Sequence, residues 1–193
     1  MIINSGLNQK TKFIRTCIGE AIIVLMADME FTKLKVSDIV KKAGVARASF
    51  YKYYESPYAA LRDYIAIIIG ECVENDEGAQ DRDTYMEREH ILYTLNYFDQ
   101  YAECFLTLAK QGLHGIMLDS INYFMEKNIE TEISTSMYEL YSYAGGLLNT
   151  FLKWEEGGKQ DSAEEVADML YDLYSYQWKE LELKAKVQGG SEK

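Results

Sequence analysis

The chain has 193 residues, one proline, three cysteines and a formal net charge of −11. That length supports one large domain, or a small one joined to a medium one, and the near absence of proline points to helices. No run of eighteen apolar residues exists to span a bilayer and the N-terminus lacks a charged-then-apolar leader pattern, so a soluble cytoplasmic protein with no membrane partner is expected. Cys17, Cys72 and Cys104 are odd in number and set among apolar residues, which suits small buried hydrophobes better than a disulfide framework. His90 and His114 stand alone, no C-x-x-C or H-x-x-x-H spacing occurs, and no metal or other cofactor is expected.

Ile14, Ile18, Ala21, Ile22, Leu25 and Met29 form an apolar stripe that predicts a first helix from about Gln9 to Met29. From Val36 to Tyr54 the pattern is that of two short helices joined by a glycine turn. Val36, Ile39, Val40 and Ala43 give the first its apolar face, Gly44 supplies a left-handed backbone, and Val45 and Phe50 plug the joint. Arg47, Ser49, Tyr51, Lys52 and Tyr53 remain for the exposed side. Ser56 and Pro57 open a long fourth helix, the serine as cap and the proline where its missing amide hydrogen is harmless.

Charge divides the chain. Residues 1–64 hold ten Lys and Arg against six Asp and Glu, a net +4, whereas the rest hold ten against 25, a net −15. A cationic end on an acidic body attracts a polyanion to one face and repels it from the other. Beyond the polar link near residues 74–83, further helices are predicted over about Thr84 to Phe98, Tyr101 to Lys110, Leu113 to Glu130, Ser136 to Glu156 and Ser162 to Lys184. The segment Asp161-Ser-Ala-Glu-Glu165 has the form of a capped helix start. The fold class is therefore all-α, of about nine helices: a three-helix head containing a helix-turn-helix, then a larger helical body. The boundary is placed as residues 1–56 and 57–193.

The head resembles the TetR family of bacterial transcription regulators. Ile39, Ala43-Gly44-Val45, Arg47-Ala-Ser-Phe-Tyr51 and Tyr54 carry the likeness, with Tyr58 and Leu61 at the family interval. Tyr143-Ala-Gly-Gly146, Phe151-Leu-Lys-Trp154, Gly157-Gly158 and Ser162-Ala-Glu-Glu165 are similar, more weakly, to the last two helices of a branch common in Gram-positive bacteria. The resemblance implies a homodimer that binds a palindromic double-stranded DNA operator, usually as a repressor, with a small apolar or aromatic inducer held in the body. Carried onto this chain, it places Arg47 and Ser49 at base edges, Tyr51, Lys52 and Tyr53 near phosphates, and Lys35, Ser37 and Ala46 on the same DNA-facing surface. Arginine offers a planar fork to guanine, and hydroxyls serve base edges or phosphates. Tyr54 reads as core, and Tyr51 suits either packing or a phosphate. Lys35 and Ala46 replace the usual capping hydroxyls and Pro57 replaces a lysine, so a softer head is expected.

Within the body, Tyr93, Tyr97, Phe105, Met117, Tyr123 and Phe124 are candidates to line an inducer pocket, against the plainer reading that they are ordinary core. Leu140, Ala144, Leu147, Leu148 and Phe151 in one late helix, with Val166, Met169, Leu170, Leu173 and Trp178 in the next, are candidates for a dimeric four-helix bundle, against packing within one protomer. No glycine-rich phosphate loop, nucleophile motif or paired carboxylates with a nearby histidine appear, so no catalytic residues are expected. The alternative to a DNA-binding regulator is an adaptor of the same fold that acts through protein partners.

Overall fold

Asn8 opens α1 (Gln9–Met26), its side chain accepting from the Lys10 amide at 3.0 Å. The computed structural model describes residues 8–76, 87–128 and 137–175. Ile18, Ala21, Ile22 and Met26 turn inward from α1. The helix stops three residues short of the predicted Met29 and the chain passes through a turn into a short 3-10 segment at Phe31–Lys33. The reason lies far along the chain: the Gln111 side chain takes the Met26 and Met29 carbonyls at 2.7 and 3.0 Å, in place of further helical amides.

The two short helices form as predicted, α2 (Val36–Ala43) and α3 (Arg47–Tyr53), with Gly44 between them at φ 67°. That left-handed conformation is open to glycine without strain. Ile39 and Phe50 are fully buried at the joint. Neither Lys35 nor Ala46 makes a side-chain capping bond. By contrast Ser56 caps α4 (Pro57–Asn75), accepting from Ala59 N at 3.2 Å, with Pro57 in its first turn.

Every residue from Tyr64 to Gly70 is buried, so the middle of α4 is enclosed on all sides. It packs on α1 and on α7 (His114–Asn128), and thereby belongs to head and body together. Gly19 marks the tightest crossing with α1: a Cβ there would lie 2.2 Å from the Tyr64 ring. The other body helices are α5 (Arg88–Asp99), α6 (Ala102–Lys110), α8 (Met137–Glu156) and α9, residues 163–175. Phe98, Phe105 and Phe151 join α5, α6 and α8 through ring contacts of 5.2 to 6.0 Å. A reciprocal cap starts α9, Glu165 N donating to Ser162 Oγ at 3.2 Å and Ser162 N to Glu165 Oε2 at 2.7 Å. Among the described residues there are nine α-helices and no strand, and none of these helices is long and apolar enough to cross a membrane.

The residues named for a dimer seam divide by their burial within one protomer. Leu140, Ala144, Leu147, Leu148, Phe151, Val166 and Leu170 are all buried inside the single protomer, because the apolar faces of α8 and α9 turn toward the body's own core. Met169 and Leu173 are exposed, at 49% and 53%. Trp178 lies outside the described residues.

Candidate nucleic-acid interface and the cavity behind it

Two anchors fix the attitude of α3. Phe50 enters the head core, and Tyr54, just past the helix, is buried with its hydroxyl donating to Asp63 Oδ2 at 2.5 Å. Arg15 of α1 donates to the same carboxylate through Nε at 2.8 Å and also pairs with it through Nη2. Burial and the adjacent Asp63 carboxylate push the Tyr54 phenol well above its usual range, so it stays a donor. A three-way joint between α1, the end of α3 and α4 results.

With those residues turned inward, the opposite side of α3 faces solvent. Arg47, Tyr51 and Lys52 are exposed, as are Lys35, Ser37 and Ala46; Ser49 and Tyr53 are half-buried. Arg47 lies along Tyr51, Nη2 at 3.4 Å from the hydroxyl and the guanidinium 5.5 Å from the ring centroid. Lys52 Nζ sits 5.1 Å from the Tyr53 ring centroid. Thr11 of α1, and Lys52 beside it, hold the Tyr53 phenol below the ordinary value. The surface thus presents a guanidinium, an ammonium and hydroxyls on one short helix. Such groups contact phosphates and base edges. Lys41 and Lys42, also exposed in the last turn of α2, add cations that the motif alone did not single out.

Head and body meet at two further places. Lys12 of α1 pairs with Glu71 of α4 at 2.8 Å, and Tyr97 of α5 donates to Glu71 at 3.4 Å. Gln111, between α6 and α7, accepts from Phe31 N at 2.7 Å while donating to the Met26 and Met29 carbonyls. One carboxamide therefore holds three backbone groups at the end of α1. Neither Asp63 nor Gln111 stands in a local motif, and their partners lie up to 85 residues away.

Behind the head, α4, α5, α7 and α8 line a partly open cavity of about 70 Å³. Its wall is mostly apolar, with Ile69, Phe98, Ile121, Phe124, Met125 and Leu148 among its members. Of the six residues singled out for a pocket, Phe124 is the one that lines it. Tyr93 and Tyr97 stack along the half-buried face of α5, Phe105 and Met117 are filled core, and Tyr123 is 49% exposed. Leu140, Ala144, Leu147 and Leu148 supply the wall from α8 instead.

Polar groups at the wall form a short chain. His90 Nδ1 lies 2.6 Å from Asp76 Oδ2, and Thr94 Oγ1 lies 3.4 Å from His90 Nε2. Burial holds the imidazole below its ordinary value, Asp76 opposing, so the ring is neutral and its Nδ1–H donates to the carboxylate. Burial also pushes the Cys72 thiol up to about 12. Tyr143 is buried, and its hydroxyl has no hydrogen-bond partner among the described residues. No group of three or more His, Cys, Asp or Glu side chains is placed to hold a metal ion among the described residues.

No family model matches the chain. It is similar to the uncharacterised HTH-type transcriptional regulator YxbF of Bacillus subtilis (strain 168), at 22% identity over 172 aligned residues covering 82% of this chain and 44% of that protein. The chain spans less than half the length of that curated relative. Among solved structures, Lin0861 from Listeria innocua superposes with a TM-score of 0.71 at 14% identity, covering 89% of this chain and 94% of the other. DhaS, an activator of a dihydroxyacetone kinase operon, gives 0.56 at 18% identity over 85% and 95%. A TetR transcriptional regulator from Rhodococcus sp. RHA1 gives 0.54 at 15% over 86% and 97%. The chain has the fold of these proteins.

Proposed function

We propose that a chain with this fold and this exposed face on α3 is a sequence-specific DNA-binding transcription regulator, and not an enzyme. It acts in the cytoplasm as a homodimer on a palindromic operator, with a small apolar or aromatic inducer acting through the cavity. The carrying observation is the outward placement of Arg47, Tyr51 and Lys52 on a helix pinned from behind by Phe50 and Tyr54, on a chain whose sequence beyond residue 64 is acidic. Arg47 and Ser49 read base edges; Tyr51, Lys52, Tyr53 and Lys35 meet phosphates. Ser37 and Ala46 lie against the duplex.

A twofold dimer brings two α3 helices to half-sites about 34 Å apart, so a shift of a few ångströms in α4 releases one of them. Met169 and Leu173, the exposed apolar pair on α9, are the natural start of the self-complementary surface. Repression is the sign of regulation favoured by simple occlusion of a promoter; the activator DhaS marks activation as compatible with the fold.

The second reading, an adaptor acting through a protein partner, is favoured by the missing caps of α2 and α3. Loss of a cap removes about 1 kcal/mol from a helix end. Selection of DNA from a random pool by the purified chain separates the two. A regulator enriches a palindrome, and Arg47→Ala abolishes that enrichment; an adaptor enriches none.

A further inference from the structure

A ligand cavity is mostly apolar, and its few polar groups orient what it holds. The chemistry of the occupant is therefore written in the wall groups that still lack a partner. Four polar side chains reach this wall: Cys72, His90, Thr94 and Tyr143. Two are engaged with each other or with Asp76, His90 donating to Asp76 and Thr94 lying within reach of His90 Nε2, and the Cys72 thiol is a weak hydrogen-bonding group. Tyr143 alone among them has a buried hydroxyl with no partner.

Among the described residues, no Lys or Arg lines the cavity. A carboxylate or phosphate entering it would be an unpaired charge in apolar surroundings, with the Asp76 carboxylate one residue behind the wall. An ammonium group would find its natural counter-charge already bonded to His90. Size narrows the choice further. A dry cavity of about 150 Å³ holds benzene, so this one admits a compact molecule of a few non-hydrogen atoms as it stands. The unbranched Met125 side chain in the wall is the part able to yield to a larger one.

We propose that the cavity between α4, α5, α7 and α8 binds a compact, uncharged, largely apolar molecule with one hydrogen-bond acceptor, a ketone, aldehyde or ester, seated on the Tyr143 hydroxyl. This deepens the ligand-responsive reading above and rests on it. The Tyr143 ring stands edge-on to Tyr174 of α9 at 5.1 Å, so an occupant is sensed by the helix that carries exposed Met169 and Leu173.

The test uses the whole chain without DNA and three probes of matched shape: 2-butanone, 2-methyl-1-butene and propionate. Binding is followed by the methyl NMR signals of Met125 and Leu148 in wild type and in Tyr143→Phe. The ketone shifts both signals and propionate at the same concentration and neutral pH shifts neither. Tyr143→Phe weakens the ketone about tenfold, the loss of one hydrogen bond, and leaves the alkene unchanged. The variant removes an unpartnered hydroxyl, so its melting temperature stays level or rises, which excludes misfolding as the cause. Propionate binding as tightly as the ketone, a ketone affinity unaltered in Tyr143→Phe, or no shift with any probe overturns the proposal. Failure to enrich an operator sinks the regulator reading separately and leaves these probe results standing.

Discussion

The Tyr54 hydroxyl donates to the Asp63 carboxylate at 2.5 Å, tying the residue just after α3 to the helix that enters the body. Asp63 also holds Arg15, so Asp63→Ala leaves two donors unpaired in half-buried surroundings. A loss of about 2 kcal/mol is expected, less than for a fully buried pair. Urea denaturation measures it. DNA affinity should fall with it although no DNA-facing side chain changes, and Tyr54→Phe should show about half the effect. Unaltered affinity in Asp63→Ala would mean that the joint does not set the attitude of α3.

Gly19→Ala should destabilise the protein even though alanine is the better helix former. The added carbon would lie 2.2 to 2.5 Å from Tyr64 Cγ, Cβ and Cδ2, atoms near the backbone that cannot swing aside. Overpacking of this kind costs about 1–3 kcal/mol, which exceeds the roughly 1 kcal/mol propensity gain. A chemical-denaturation midpoint equal to or above wild type would contradict this close crossing of α1 and α4.

Gln111→Ala removes three hydrogen bonds to the backbone between Met26 and Phe31. Faster amide exchange confined to residues 26–33 is the expected signature, with a global loss of about 2 kcal/mol. Because Gln111 joins the turn between α6 and α7 to the head, the variant should also respond less to an inducer while still binding operator. Wild-type exchange in that segment would remove Gln111 from the connection between the two units.

Acid stability should carry the mark of His90. Its folded value lies below the ordinary 6.5 because burial disfavours the imidazolium by more than Asp76 restores. The unfolded chain thus takes up a proton first: stability from this group is fully present above about 6.5 and is lost as pH falls through the lower folded value. Urea midpoints should decline from pH 7 to pH 5, and His90→Gln should flatten that decline. Parallel slopes in the two proteins would place the titration elsewhere.

How much of this was readable from sequence depended on distance along the chain. Gly44, the missing caps at Lys35 and Ala46, and the Ser56–Pro57 start are local chemistry, and each took the predicted form. Asp63 and Gln111 are ordinary polar residues until folding brings partners from elsewhere in the chain. The body was harder for a different reason. Helix α8 is apolar over a wide arc, and sequence alone did not say which part faces a second protomer and which faces α6 and α7. Leu140, Ala144, Leu147 and Leu148 went to the inside, and with them the wall of the cavity. An aromatic stripe such as Tyr93 and Tyr97 advertises burial, but a single hydroxyl left over at Tyr143 leaves no trace in spacing.

Because α4 is gripped by α1 through Arg15, Lys12 and the Gly19 crossing, a transplant of α1, α2 and α3 onto another protein of this fold should not be cut at residue 56. A splice there would leave Asp63 and Tyr64 behind and deprive the transplanted helices of their seat. Chimeras that carry α4 through Asn75 keep these contacts intact, and then the new seam falls on the surface that α4 shares with α7, where matching side chains have to be grafted as a set.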